Sequence, residues 1–507
     1  MSNSGMETRD IFRNISPIDH RYSVSEKTVF DGASAWLSEE ASISACVKAE
    51  IALVIAHLTV RAGAAAGTVR QGCEISAELR AALEKAAAAV TPEDIYAEEE
   101  KTRHNIRALV NVLKQKVPAE TAPLVHLGAT SVDILDTSLA YRMKGVCRKV
   151  VLPALRRLER LLCDFAEQEA ETPQVGRTHG QHAVPVTVGF ALAEYVSRLG
   201  KSILEIERLS AQLKGKLAGA VGAYNAASMI VPDPEELERL YLTELGLEPS
   251  EHSTQLVEPE YLLRLLLEYN TAFGIIANLA DDLRNLQRTE IGELREGFGQ
   301  DQVGSSTMPQ KRNPWNSEHV KSLWKAFMPR VMTFFMDQIS EHQRDLSNSA
   351  SQRFIADYVT GFCLAVSRMS GVIEGLGADR EKCLANLRSG GGGIPGGVLA
   401  EPAYILLAES GVSDAHEVIR RITLNAEKRS LSFAAALAEE PAVLERIGEQ
   451  LTKLGLVPAA GSTGAGAKNP ADAANVFFSK PESYCGLAAK KAKELSAKYR
   501  TLMQGEE

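Results

Sequence analysis

Apolar residues recur through the middle of the chain at steps of three and four. Leu192, Val196, Leu199, Ile203, Ile206, Leu209 and Leu213 form one stripe, and Leu266, Tyr269, Phe273, Ile276, Ala280 and Leu283 a second. A third runs through Val320, Leu323, Phe327, Val331 and Phe334. Such steps place side chains on one face of an α-helix, so each stripe predicts a long amphipathic helix packed in a bundle, within the chain or across subunits. Residues 35–115 are Ala-rich and helical in pattern, with breaks near Gly67 and at Thr91-Pro92. Thr91-Pro92-Glu93-Asp94 reads as a helix N-cap followed by first-turn acids. No run of alternating strand pattern stands out, so the predicted fold class is all-α.

Glycine-rich stretches punctuate this pattern. Gly297–Ser306 is one, and Ser389–Gly397, with six glycines, marks a boundary before a C-terminal helical region. A third, Thr463–Pro470, lacks the Walker spacing and follows no predicted strand, so it reads as a loop rather than a phosphate cradle. The division predicted is an N-terminal helical domain over 1–131, a central helix-bundle domain over 132–385 and a C-terminal helical domain over 386–507.

Composition adds exclusions. The chain has 507 residues, 45% apolar and 24% charged, with a net charge of −9 and no long basic run. No nucleic-acid partner is predicted, and an anionic substrate must meet local rather than global positive charge. Met1–Pro17 is polar and lacks the apolar segment of a signal peptide. No uninterrupted apolar run reaches the roughly 18–20 residues of a membrane span, so no membrane partner is predicted. Seven scattered cysteines without a CxxC pair read as reduced thiols in the cytoplasm.

Three segments carry candidate chemistry. Residues 304–314 read Gly-Ser-Ser-Thr-Met-Pro-Gln-Lys-Arg-Asn-Pro. Gly304 permits a tight backbone, and Ser305 and Ser306 supply hydroxyls. Lys311 and Arg312 supply fixed positive charge, and Asn313 a donor for carboxylate. A solvated loop that merely contains Ser and Lys is the alternative. In Arg177-Thr178-His179-Gly180-Gln181, His179 has an intrinsic pKa suited to proton transfer near neutrality. His179 and His182 lie three apart but have no HExxH context, so no metal-ligand set is predicted. In His126–Asp133, Thr-Ser-x-Asp reads as an ordinary N-cap, although hydroxyls and amides at a helix start are also good carboxylate donors.

Together the three segments resemble the signatures of the fumarase/aspartase superfamily, whose members remove a proton beside a carboxylate and expel a nitrogen or oxygen leaving group to give fumarate. That resemblance implies a central long-helix bundle of the superfamily's type and a homotetramer with active sites shared between subunits. It implies no metal or organic cofactor. It makes Ser305 the general base and His179 the general acid that protonates the leaving group. Lys311 and Asn313 face the developing charge, which such donors stabilise by about 3–4 kcal/mol each. Thr178, Ser306, Thr130 and Ser131 become substrate contacts, and Asp133 an orienting or capping group. Closure of the Gly297–Ser306 region over substrate would exclude water.

Four further segments resemble the adenylosuccinate lyase family within that superfamily. Lys101-Thr102-Arg103-His104 matches a segment that supplies a second histidine beside His126, with Asn105 in place of the usual Asp. Ser16–Ser23 resembles the family's N-terminal segment, which implies that Arg21 and Tyr22 contact a nucleotide. Ser253-Thr254-Gln255 resembles a pair whose Gln binds substrate. Gln343–Arg353 resembles the phosphate segment, which gives Arg344, Ser349 and Arg353 as ligands. The implied substrate is a succinylated purine nucleotide. Departures stand at Gln310, where many of these enzymes have His, and at Glu258-Pro259-Glu260. The alternatives are another superfamily lyase or cycloisomerase, acting on argininosuccinate or a carboxymuconate, and a catalytically silent helical scaffold.

Overall fold

The first two apolar stripes become long helices, Val188–Ala211 and Glu260–Leu286, and nearly all their stripe residues are under 5% exposed. The third stripe does not become one helix. It divides into Trp315–Phe327 and Arg330–Met336, because Pro329 has no N–H for the helical ladder and its ring clashes with the preceding turn. The computed structural model describes residues 10–65, 75–299, 302–345, 347–457 and 469–504. Gly67, Gln300, Asp301, Leu346 and Thr463–Lys468 lie outside these. The Thr91 side chain accepts from Asp94 N at 3.2 Å and caps the Pro92–Thr102 helix, as its sequence predicts.

The chain is predominantly helical, and its strands are few. Pro173–Thr178 and Gln181–Thr187 form an antiparallel hairpin. Two-residue pairs join Lys214–Gly215 to Glu248–Pro249 and Leu294–Arg295 to Gly377–Ala378. The Lys27–Ala62 stretch contains a window apolar enough to cross a membrane by composition, and 72% of that window is buried inside the protein, as in a core helix.

The residues fall into two compact units. The first comprises 1–156, 201–276 and 322–368. Its core contains an aromatic cluster in which Tyr269 and Phe273 each lie 5.4 Å from Phe362, and Phe334 meets Tyr358 edge-on at 4.9 Å. Gly361 lets the Ile355–Glu374 helix approach this cluster, since a Cβ there would sit 2.3 Å from the Phe327 ring. The second unit comprises 157–200, 277–321 and 369–507. Within it, the segments from Leu387 to Phe478 close over their own apolar core, which includes Leu399, Ile419, Phe433, Ile447 and Phe477.

Candidate active site

In the first unit, the chain makes a left-handed turn just before the Ser131–Val146 helix. His126 has φ +62° and Gly128 φ +77°. Two side chains one face apart on the Glu39–Ala65 helix hold this turn. The Glu50 carboxylate accepts from His126 Nδ1 at 2.7 Å, and His57 Nε2 donates to Leu127 O at 2.9 Å. Burial lowers the His57 pKa, which keeps that ring a neutral donor.

Thr130 and Ser131, half-buried, then open the helix. The Thr130 N–H donates to Asp133 Oδ2 at 2.8 Å. Asp133 is fully buried, and its other oxygen meets the Lys216 ammonium and the Ala218 N–H. Asp133 is therefore a capping and pairing group, as its N3 position predicts, and the helix start is fixed from below.

The same helix reaches a second cluster through Asp136, whose Oδ2 accepts from Val257 N at 2.9 Å. Burial pushes this carboxyl up to about 6, opposed by the charges of Lys216 and Arg344. Asp136 also lines a cavity of about 90 Å³ together with Glu258, Tyr261, Phe334 and Asp337. Asp136 lies outside every motif in the sequence, where its only signal is an acid on the inward side of a helix. Two predicted substrate segments meet beside it. Gln255 N donates to Gln343 O at 3.3 Å, and Arg344 Nη1 donates to Gln255 Oε1 at 3.4 Å. Arg344 Nε is buried without a partner among the described residues.

Asp345 builds the adjoining turn, accepting from Glu341 N, Ser347 N and Ser347 Oγ. Ser349 and Arg353 follow, both exposed and four residues apart. No carboxylate pairs with Arg353 among the described residues, so its guanidinium is not held by a surface ion pair. Arg21 is exposed and Tyr22 half-buried at the end of the wide Ile18–Tyr22 turn. His104 is the exposed N-cap of the Asn105–Lys114 helix, where Nδ1 accepts from Arg107 N at 3.3 Å. Asn105 accepts from its neighbour Ile106 N. No hydrogen bond joins His104 to His126 among the described residues.

The second unit holds the other two signatures. Thr178, His179 and Gly180 sit at the tip of the hairpin, exposed. His179 and Gly180 have φ +54° and +73°, the pattern of a two-residue turn that matches strand twist. A histidine–glycine pair between Val-rich segments was the available sequence signal for this hairpin. Arg177 does not face outward with them. It forks onto both oxygens of Glu293, at 2.9 and 2.5 Å. Gln174 and Asn386 complete the shell of this fully buried carboxylate at 2.7 and 2.8 Å. Glu293 thereby ties the hairpin to the Arg380–Ser389 helix.

The 304–314 loop is pinned at its base. Glu296 accepts from Asn316 and Ser317, capping the Trp315–Phe327 helix. Gln287 bridges Glu296 N and Arg312 O. Arg312 lies 5.1 Å over the Phe298 ring. Gly304 is required by space, because a Cβ would meet Lys311 O at 2.0 Å. Asn313 Nδ2 donates to Gly304 O at 2.9 Å, so its amide holds the loop while its oxygen stays available. Within this frame Ser305 Oγ accepts from Thr307 N at 3.3 Å and Met308 N at 3.1 Å. Ser306 and Lys311 are exposed. No hydrogen bond joins Ser305 to His179 among the described residues. Two amide donors on one hydroxyl oxygen make a site that stabilises negative charge on that oxygen.

A lyase family model matches residues 21–326, and a model of the adenylosuccinate lyase C-terminal region matches 340–457. The adenylosuccinate lyase of Pyrococcus horikoshii is 33% identical over 84% of this chain and 90% of its own. That of Archaeoglobus fulgidus is 30% identical over 85% and 91%. Among solved structures, a fumarate lyase from Mesorhizobium sp. BNC1 matches with a TM-score of 0.72 at 20% identity, covering 92% of this chain and 97% of its own. A 3-carboxy-cis,cis-muconate lactonizing enzyme from Pseudomonas putida matches at 0.71 and 24%, covering 94% and 98%. At those identities the two structures speak for a shared helical fold.

Proposed function

Because this chain belongs to the adenylosuccinate lyase family of the fumarase/aspartase superfamily, and is thus a C–N lyase, we propose that it releases fumarate by β-elimination from adenylosuccinate, leaving AMP. The same site cleaves succinylaminoimidazole carboxamide ribotide, the parallel purine-pathway substrate. Ser305 removes the proton from the carbon beside the succinyl carboxylate. The electron pair moves toward that carboxylate, and the C–N bond then breaks. His179 protonates the departing nitrogen, with His104 and His126 assisting. Lys311 and Asn313 meet the charge that develops on the carboxylate.

The observation that carries this reading is the pair of backbone amides on Ser305 Oγ. A serine hydroxyl is a poor base until it ionises, and the loop places donors where the alkoxide charge would lie. The nucleotide end is supported by Arg353, which has no carboxylate partner among the described residues, and by Arg344, whose Nε has no partner among them and which is held against Gln255. Thr130, Ser131, Thr178 and Ser306 contact the succinyl group, and Arg21, Tyr22 and Ser349 the nucleotide.

Assembly is a homotetramer with shared active sites. Met332, Phe335, Met336 and Ile339 are 46–75% exposed within eight residues, a density of apolar surface typical of an interface. The enzyme works in the cytoplasm, in keeping with the free thiols of the described cysteines. The three-domain division at 131/132 and 385/386 belongs to the same proposal.

The test is a substrate panel followed by ultraviolet absorbance: fumarate release from adenylosuccinate and from argininosuccinate, and loss of the conjugated diene of carboxymuconate on lactonisation. Turnover of adenylosuccinate alone is expected. Ser305→Ala should lower kcat by about a thousandfold, within the range for a positioned base, with assembly intact. Near-normal turnover by that variant removes Ser305 from the role.

A further inference from the structure

Glu50 is a fully buried carboxylate with one side-chain partner among the described residues. Its Oε1 lies 2.7 Å from His126 Nδ1, and its Oε2 is buried with no hydrogen-bond partner among the described residues. Such a group is a poor contribution to stability. A buried acid with a vacant oxygen forfeits its hydration without recovering it in hydrogen bonds, and an apolar side chain of similar volume would serve the core as well or better. A buried polar atom left unsatisfied in a native fold calls for a reason other than packing.

The reason lies in what the group touches. His126 is held at φ +62°, a conformation that costs a non-glycine residue on the order of 1 kcal/mol and persists only where surrounding contacts impose it. Those contacts come from one face of one helix. Glu50 takes the ring, and His57, seven residues on, takes the carbonyl of Leu127. The His126 side chain keeps 22% of its surface exposed while Glu50 keeps none. A carboxylate can only accept, so Nδ1 carries the proton of this bond and Nε2 becomes the one ring nitrogen open to a ligand.

We propose that Glu50 is a positioning residue for His126. It fixes the ring orientation and the Nδ1 proton, so that Nε2 faces the substrate beside Thr130 and Ser131. This rests on the role given above to His126. Partners that orient a metal-ligating imidazole in this way are worth about 10–100-fold in affinity or activity, and the same scale is taken for a ring that faces substrate.

The experiment is a double-mutant cycle with Glu50→Gln and His126→Ala, read as kcat and KM on adenylosuccinate in the assembled enzyme, with urea midpoints alongside. Glu50→Gln is expected to lower kcat by about 10–100-fold with KM changed far less. In the His126→Ala background the same substitution should change kcat by less than about twofold, because the group it acts through is gone. Glu50→Asp, which restores the charge but withdraws it by one methylene, should recover part of the loss. If Glu50→Gln does not assemble, Glu50→Met fills the volume without an acceptor and carries the same comparison. An equal loss in both backgrounds overturns the proposal, since Glu50 would then act without His126. So does unchanged kcat in Glu50→Gln when His126→Ala is impaired. Unimpaired His126→Ala overturns the histidine's role and this proposal together.

Discussion

Glu159 lies on the Leu152–Gln168 helix with none of its surface exposed, and neither carboxyl oxygen has a hydrogen-bond partner among the described residues. Gly200 and the C-terminal helix Ala488–Leu502 close over it. A Cβ at Gly200 would lie 3.0 Å from Glu159 Oε1 and 2.2 Å from the Tyr499 ring. Burial pushes the Glu159 acid from 4.5 up to about 9. At pH 7 the unfolded chain is ionised at this position and the folded chain is protonated, so folding takes up a proton. The folded-state value is raised, so the contribution to stability is full below the unfolded value near 4.5 and is lost as pH rises toward 9. Each pH unit in that window is worth about 1.4 kcal/mol, which by pH 7 amounts to about 3 kcal/mol per subunit. Glu159→Gln keeps the shape of the neutral acid and removes the titration. Its stability should match the parent at pH 5, exceed it by about 3 kcal/mol at pH 7, and exceed it further at pH 9. Urea unfolding by circular dichroism at those three pH values, at one protein concentration because assembly shifts apparent stability, reads this directly. A difference that does not grow with pH, or a less stable variant at pH 9, refutes the neutral buried acid.

Three other outcomes are expected. Gly304→Ala should lower kcat by about a hundredfold with an unchanged urea midpoint, because a Cβ there displaces the backbone that holds Ser305; normal turnover would mean the loop tolerates the shift. Arg177→Met should destabilise by about 3–5 kcal/mol in urea by leaving Glu293 buried without its counter-charge, and a loss below about 1 kcal/mol would show that Gln174 and Asn386 suffice. Arg353→Ala should raise KM by about 10–100-fold, the loss of a charge-assisted hydrogen bond, with kcat little changed; an unmoved KM excludes Arg353 from substrate binding.

What could be read from the chain and what could not divide along sequence distance. The Leu192–Leu213 stripe states its own helix, since the burial of each residue follows from a period that is local. The same holds for the Thr91 cap and for Thr130 with Asp133, where donor and acceptor are three residues apart. The third stripe failed for a local reason as well. Its apolar spacing continues across Pro329, and a breaker outweighs a period wherever an N–H is needed. The hairpin beneath His179 was missed because its strands alternate weakly and carry a bulge near Gly176, where a Cβ would meet Val184 O at 2.6 Å.

The candidate site divides in the same way. Ser305, His179 and Lys311 sit in compact strings that announce chemistry. Their supports do not: Glu50 lies 76 residues from His126, Glu293 116 from Arg177, and Gln255 89 from Arg344. No period or motif marks Glu50 in an Ala-rich helix, and Glu293 stands among other acids in an ordinary turn. A carboxylate becomes a positioning group only when the fold withdraws water from it and leaves one partner, and burial of that kind is a property of the whole packing rather than of any neighbouring residues. The same withdrawal acts at Glu159, where no partner is found among the described residues and burial pushes the acid up to about 9, and at Glu293, where four donors surround the two oxygens. Three buried glutamates of one sequence type therefore meet none, one and four donors, and that number is set by the fold rather than by the residues beside each.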